Sequence, residues 1–162
     1  MEGQRGVQQV MDLRALYEEV ILDHNRNPRN YPKKPDGCNC SAHGHNPLCG
    51  DEVQVHVRVQ DGVIQDIGFE GQGCAISTAS ASLMTEALKG KSEAEAAELF
   101  DALHNLLTEQ VSDDSDETAD RLGKLTVLSG VKEFPMRVKC ATLAWHTLAA
   151  ALEHSSDPVT TE

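Results

Sequence analysis

Three cysteines are placed where thiols could meet and react. Cys49 precedes a predicted strand, Cys74 lies between a strand and a helix, and Cys140 begins the last predicted helix. Such positions let thiolates converge without disrupting a core, and a helix N-terminus lowers the pKa of a thiol. Asp51, shortly after Cys49, would complete a four-coordinate metal site.

The ligand types alone do not choose the metal. Zn²⁺ accepts thiolates and a carboxylate in tetrahedral geometry, and thiolates suit an iron-sulfur cluster equally well. The spacing is weak evidence by itself, because the three cysteines are far apart and no C-x-x-C pair is present. Scattered structural thiols are the alternative, since free cysteine is often buried.

A second group of metal-ligating residues forms a C-x-C-x-x-H-x-H pattern, made of Cys38, Cys40, His43 and His45. It could bind a second metal, relay sulfur or capture adventitious ions. C-x-C lacks the spacing typical of zinc hairpins, and the surrounding composition is that of a loop. We therefore interpret this segment as flexible and polar.

Two strands are predicted in the middle of the chain. Apolar and polar residues alternate from Val53 to Gln60, as in a strand with one buried face. Asp61-Gly62 is a hairpin signal, and a second strand follows through Phe69. Before them, residues 25–50 are expected to form an extended loop.

Helices flank this hairpin on both sides. Apolar spacing and end signals predict helices over residues 12–24, from Ala75 to a stop at Gly90, from Ser92 to Leu107 and from Cys140 to Glu153. Residues 122–131 are expected to be a loop with some helical character. We expect a single domain over residues 12–153, a flexible extension over 1–11 and a disordered tail over 154–162. Met11 directly precedes the first helix, so Met1 and Met11 are both candidate starts.

The remaining large polar and aromatic side chains are assigned structural roles. His24 is expected to cap carbonyls or touch a partner, and His56, in the polar phase of its strand, to be solvated. Isolated histidines within helices are usually structural or solvated, which covers His104, His146 and His154. Trp145 is expected in the core.

The composition disfavours nucleic acid and membrane partners. The formal net charge of -12 would repel phosphate and anionic lipid. No apolar stretch approaches a membrane span, and the first ten residues lack a signal-peptide core. Five cysteines, an odd number, favour reduced thiols over a disulfide framework. We therefore expect a cytoplasmic protein, either a monomer or a homodimer.

Six segments resemble the IscU-like family of iron-sulfur cluster assembly proteins, which includes the NifU N-terminal domain. They are Leu16-Tyr17, Val20 to His24, Asn27 to Asn30, Cys49 to Asp51, Gly73 to Ser77, and Phe134-Pro135 with Arg137 to Trp145. Two features point to the SufU branch. Lys139 stands where the housekeeping scaffolds carry a histidine, and residues 109–130 supply the insertion that SufU-like members carry between the second and third cysteines.

The resemblance implies an α+β fold with a small antiparallel sheet of about three strands packed with helices. It also implies a zinc site whose ligands are Cys49, Asp51, Cys74 and Cys140, with Arg137 beside it. Cys49 would receive sulfur from the persulfide of a SufS-type cysteine desulfurase and pass it to the downstream assembly machinery. Such a protein would be a zinc-dependent sulfurtransferase.

Two other functions stay open at this point. The chain could be a scaffold on which an iron-sulfur cluster is assembled, or a structural zinc domain without sulfur traffic. Lys139 and the insertion favour the sulfur carrier, because a protonated lysine cannot replace the family's histidine as a ligand.

Overall fold

A computed structural model describes residues 15–108, 122–132, 134–154 and 158–160. In chain order the elements are α1 (15–26), β1 (Cys40–Asn46), β2 (Asp51–Gln60), β3 (Val63–Gln72), α2 (Ala75–Leu88), α3 (Glu93–Thr108), a 3₁₀ helix (Gly123–Val131), α4 (Pro135–Leu152) and β4 (Val159–Thr160). Residues 1–11 and 109–121, expected to be an extension and part of an insertion, lie outside the described residues. Among the described residues, no helix is both long and apolar enough to cross a bilayer.

One four-stranded sheet has the order β3-β2-β1-β4. β2 pairs antiparallel with both β1 and β3, as expected for consecutive strands joined by short turns. β4 adds a parallel edge, with Gly44 opposite Val159. The predicted α+β class is confirmed, and the sheet is mixed because of the fourth strand.

Two segments that were expected to lack regular secondary structure contain strands. The segment 25–50 is not a continuous loop, since its residues from Cys40 to Asn46 form β1 and pair with β2 along their whole length. The tail is not disordered throughout, since Val159–Thr160 forms β4. In both cases the strand exists because a neighbouring strand accepts its backbone hydrogen bonds, which a local sequence pattern does not reveal.

Helix α4 is the centre of the core and packs against β1, β2 and α2. Trp145 is completely buried, as predicted, and its indole N–H donates a hydrogen bond to Ser80 Oγ at 3.2 Å. The Ser80 hydroxyl in turn donates to the carbonyl of Ala141 at 2.5 Å. This chain of bonds satisfies the buried polar groups and fixes α2 against α4.

Helix α4 begins at Pro135, earlier than the predicted start at Cys140. Proline is favoured at the first helical position, because its missing N–H would be unpaired there in any case. Pro135 therefore starts the helix. As a consequence, Cys140 lies in the second turn of α4 and not at its N-terminus.

Two histidines are buried, contrary to the roles expected for them. His24 on α1 is 1% exposed, and its Nδ1 shares a hydrogen bond of 2.7 Å with Ser82 Oγ on α2. Burial is the main cause of the lowered pKa of His24. His56 is 7% exposed, and Ser41, its partner on β1, lies 2.8 Å from its Nδ1. Both side chains therefore join elements of the fold.

Gly44 on β1 is a point of close contact between the sheet and α4. A Cβ at this position would collide with Thr147 Oγ1 and would lie 3.2 Å from Leu143 Cδ1. We expect Gly44→Ala to lower the free energy of unfolding by about 1–3 kcal/mol, because overpacking forces neighbours off their rotamers. Urea denaturation of the variant and the parent measures this difference.

Gly130→Ala is the matched control for that experiment, because a Cβ at Gly130 meets nothing within 4 Å. This substitution should leave the midpoint of urea denaturation almost unchanged or raise it slightly. Equal destabilisation by the two substitutions would contradict the close packing of β1 on α4.

Candidate metal and thiol site

The turn between β1 and β2 carries the first thiol. Asn46 is completely buried at the end of β1, and its carbonyl accepts hydrogen bonds from Cys49 N–H at 3.2 Å and Gly50 N–H at 2.9 Å. The Asn46 side chain also accepts from Leu48 N–H at 3.0 Å. Gly50 has φ of +75°, which favours glycine and lets β2 begin at Asp51. Cys49 is thereby held, exposed, at the tip of the turn.

The second thiol begins helix α2. Cys74 is the N-cap residue, and its Sγ accepts a hydrogen bond from Ser77 N–H at 3.4 Å. Its own N–H donates to Asp51 Oδ1 at 2.8 Å, and its Sγ lies 3.7 Å from Asp51 Oδ2. A Cβ at Gly73 would come within 2.8 Å of Asp51 Oδ1, so the glycine allows this approach.

The third thiol comes from the core side. Cys140 is 4% exposed, and its Sγ lies 3.3 Å from Cys49 Sγ, as donor of a hydrogen bond between the two sulfurs. The ligand atoms of Cys49, Asp51 and Cys140 all lie within 4.8 Å of one another. The β1–β2 turn and α4, which are remote in sequence, therefore meet at one point.

These distances suit a tetrahedral ion. Two thiolates bound to the same Zn²⁺ at 2.3 Å are separated by about 3.8 Å, so the sulfurs of Cys49 and Cys140 need only small adjustments. Cys74 is outside the group of three mutually close ligand atoms, but its sulfur is at ligand-to-ligand distance from the Asp51 carboxylate. The donor atoms of Cys49, Asp51 and Cys140 thus fit a zinc ion, with Cys74 next to Asp51.

The pKa of the Cys140 thiol is raised, and burial is the main cause. Hydrogen bonds with Asp51 and Cys49 and the nearby negative groups raise this pKa further. The expectation that a helix N-terminus would lower the pKa is therefore wrong for Cys140, which lies inside the helix. A cation bound here would have to displace the proton of this thiol.

Two cationic residues precede Cys140 on α4. Arg137 is exposed, one helical turn before Cys140, and its guanidinium lies 4.6 Å from the centre of the Phe134 ring. Lys139 is half-buried and lines a cavity of about 500 Å³ together with His104 and His146. Lys139 is therefore beside the site but belongs to the lining of a different space.

The C-x-C-x-x-H-x-H segment does not converge on one point. Alternation along β1 turns Cys40 towards the core, where it is 4% exposed and where burial raises its pKa. His43 and His45 lie on the opposite face of the strand. The interpretation of this segment as flexible and polar is wrong, because most of it is a paired strand.

Asn46 and Gly73 are the supporting residues that the sequence reasoning did not assign. Asn46 stands three residues before Cys49, where its side chain can hydrogen-bond the backbone two residues on, which is a recognised turn signal. Gly73 directly precedes Cys74, and a glycine before a candidate ligand is a signal of close backbone approach.

The chain is similar to proteins of known families over most of its length. The family described as the NifU-like N terminal domain matches residues 16–141. The iron-sulfur cluster assembly scaffold protein IscU of Streptococcus pyogenes serotype M1 is 39% identical over 145 residues, which cover 90% of this chain and 87% of the relative. The zinc-dependent sulfurtransferase SufU of Bacillus subtilis (strain 168) is 39% identical over 137 residues, which cover 85% of this chain and 89% of that protein.

A solved structure has the same fold. It is described as a scaffold protein for the SUF system, from Fervidobacterium islandicum AW-1, and matches with a TM-score of 0.75 and 36% identity. The alignment covers 83% of this chain and 94% of that one. The relatives are thus named both as scaffolds and as a sulfurtransferase.

Proposed function

Because the chain belongs to the family of the NifU-like N-terminal domain, we propose that it accepts sulfur on Cys49 from a cysteine desulfurase and passes it on for iron-sulfur cluster assembly. The observation that carries the proposal is the contrast between two touching sulfurs. Cys49 is exposed at the tip of a turn, whereas Cys140, 3.3 Å away, is buried. A large donor protein can reach Cys49 while Cys140 stays anchored in α4.

Zinc is the proposed resident ion, with Cys49, Asp51, Cys74 and Cys140 as its ligands. When bound, zinc keeps thiols deprotonated at neutral pH and lowers their nucleophilicity by sharing the lone pair. The chain contributes one ligand, Cys49, that can leave the ion because it is exposed. Cys49 is exposed and is followed by Gly50, and we propose that the turn can carry Cys49 outwards.

The transfer itself is a thiol exchange. The thiolate of Cys49 attacks the outer sulfur of the donor's persulfide, a new sulfur-sulfur bond forms on Cys49, and the donor's bond breaks. The donor cysteine leaves as a thiolate, so no outside oxidant or reductant is needed. Arg137, one turn before Cys140, is proposed to stabilise the negative charge of the resulting persulfide.

Exposed apolar side chains support docking of a partner at this point. Leu48 is adjacent to Cys49 and is 63% exposed, while Phe134 and Met136, at the start of α4, are 47% and 44% exposed. Contiguous exposed apolar groups mark protein interaction sites, and we propose that these three side chains contribute to one. A desulfurase that covers them would bring its persulfide to Cys49.

Sulfur transfer from a labelled persulfide tests this proposal. A SufS-type cysteine desulfurase is loaded from ³⁵S-cysteine and mixed with the chain, and the label is followed on non-reducing gels. The chain should become labelled, lose the label on reduction, and accelerate alanine formation by the desulfurase. A desulfurase whose turnover is indifferent to the chain would point instead to a structural zinc domain.

A scaffold for an iron-sulfur cluster is the second candidate function, because the S. pyogenes relative is named a scaffold and because thiolates also suit such clusters. Metal analysis separates the two. For a carrier we expect a colourless protein with one zinc per chain after purification without added iron. A brown protein with matching iron and sulfide would favour the scaffold.

A further inference from the structure

The outer face of the β1–β2 hairpin carries a second group of metal-ligating side chains. His43 and His45 are two residues apart on β1 and therefore share a face, where their rings stack with centres 6.1 Å apart and planes at 17°. Glu52 on β2 is the direct partner of His45. Its Oε1 lies 3.6 Å from Nε2 of His43.

We propose that His43, His45 and Glu52 bind a second divalent transition-metal ion. Two imidazoles and one carboxylate are a ligand set for Zn²⁺ and for other first-row metals such as Fe²⁺. Three protein ligands leave at least one coordination position open to water. The site contains no thiol, so its metal can exchange without sulfur chemistry. The proposal rests on the proposed function only in that its test counts zinc beyond the first ion.

The two sites lie back to back at one end of the hairpin. Successive residues of a strand point to opposite faces, so Asp51 and Glu52 diverge. Asp51 is 1% exposed and faces the three thiols, whereas the Glu52 side chain is 56% exposed. The second site therefore opens to solvent on the side of the sheet away from Cys49.

Metal binding requires the side chains to rotate but leaves the backbone in place. Two nitrogens bound to one zinc are about 3.3 Å apart. The present rings are stacked with their centres 6.1 Å apart, so each ring must turn one nitrogen towards a common point. The side chains of His43 and Glu52 are 39% and 56% exposed, so both have room to change rotamer. The paired strands already hold the three residues at neighbouring positions.

His45 gives the observation that a simple surface ion pair does not explain. Its Nδ1 is buried and has no hydrogen-bond partner among the described residues. An unpaired buried nitrogen is costly, and an absent ion or water is a usual explanation. Rotation of the ring towards His43 and Glu52 would give this nitrogen a metal ion as its partner.

Zinc binding by the full-length chain tests the proposal. Chain that already carries its first zinc is dialysed against buffers of known free Zn²⁺, and bound zinc is counted by atomic emission. We expect a second zinc at micromolar free concentration. His43→Ala, His45→Ala and Glu52→Gln should each weaken this second binding by at least about tenfold, while the first zinc stays in place.

Gln54→Ala is the matched control, because Gln54 lies opposite His43 on the same face and its loss removes no ligand. This variant should bind two zinc ions like the parent. The proposal is overturned if the parent takes up no second zinc, or if all three ligand variants keep it. Retention of the first zinc in each variant shows that the chain is still folded.

Discussion

Replacing Cys49 by alanine is expected to reduce the sulfur carried by the chain to background. Cys49 is the exposed member of the sulfur pair, and an alanine cannot form the new sulfur-sulfur bond. The fold should survive, because a side chain at the tip of a turn contributes little packing. Labelled sulfur on the chain after reaction with a loaded desulfurase is the measurement, and alanine formation should fall to the rate of the desulfurase alone.

Two further cysteine variants make this result specific. Cys38→Ala removes a thiol outside the gathered group and should carry sulfur like the parent. Cys74 is also exposed and begins α2, so it is the rival acceptor. If Cys49→Ala kept its label and Cys74→Ala lost it, the sulfur acceptor would have to be reassigned to Cys74.

Replacing Asp51 by alanine is expected to lower zinc affinity by about 100-fold or more. Changes to groups that only support a metal ligand cost 10–100-fold, and Asp51 is proposed as a ligand itself. Its Oδ1 also accepts the Cys74 N–H, so the variant would lose the contact that holds Cys74 near the other sulfurs. Competition with a chromophoric chelator measures the affinity.

Asp51→Asn separates these two contributions. The amide oxygen can still accept the Cys74 N–H, but the negative charge is lost, so affinity should fall while α2 keeps its first turn. Asp61→Asn, at the far end of β2, removes one charge from the same hairpin and should bind zinc normally. Stoichiometric zinc of parental affinity in Asp51→Ala would count against Asp51 as a ligand.

The central hairpin could be predicted because its signals are local. Alternation from Val53 to Gln60 and the Asp61-Gly62 turn lie within a few residues of one another, and the structure forms β2 and β3 there. β1 carries no such pattern, because its core-facing residues include Gly44, which has no side chain to read. The strand exists through its pairing with β2 and its contact with Thr147, both of them long-range.

The site could be predicted from resemblance but not from spacing. Cys49 and Cys140 are separated by 91 positions, and no local rule brings them together. The structure places their sulfurs in contact beside Asp51. Whether these residues bind metal, and whether Arg137 acts in transfer, stay predictions.

Burial is the quantity that sequence reasoning could not supply. It raises the pKa of Cys140, contrary to the effect expected of a helix N-terminus. Burial also sets the roles of His24 and His56. The sequence reasoning expected His24 to cap carbonyls or touch a partner and His56 to be solvated, but both side chains are buried. In each case the deciding neighbours, such as Ser82 for His24 and Ser41 for His56, belong to other elements.

The contact between Cys49 and Cys140 has a thermodynamic consequence for the whole chain. An ion that bridges them ties the hairpin tip to the core helix and closes a very long loop, as a crosslink would. An ion that binds the native chain but not the unfolded chain raises the free energy of unfolding. The increase is about 1.4 kcal/mol for each tenfold excess of free ion over its dissociation constant. The unfolding temperature would then rise with the free concentration of the ion. A partner that removes Cys49 from the ion would weaken this crosslink when it binds.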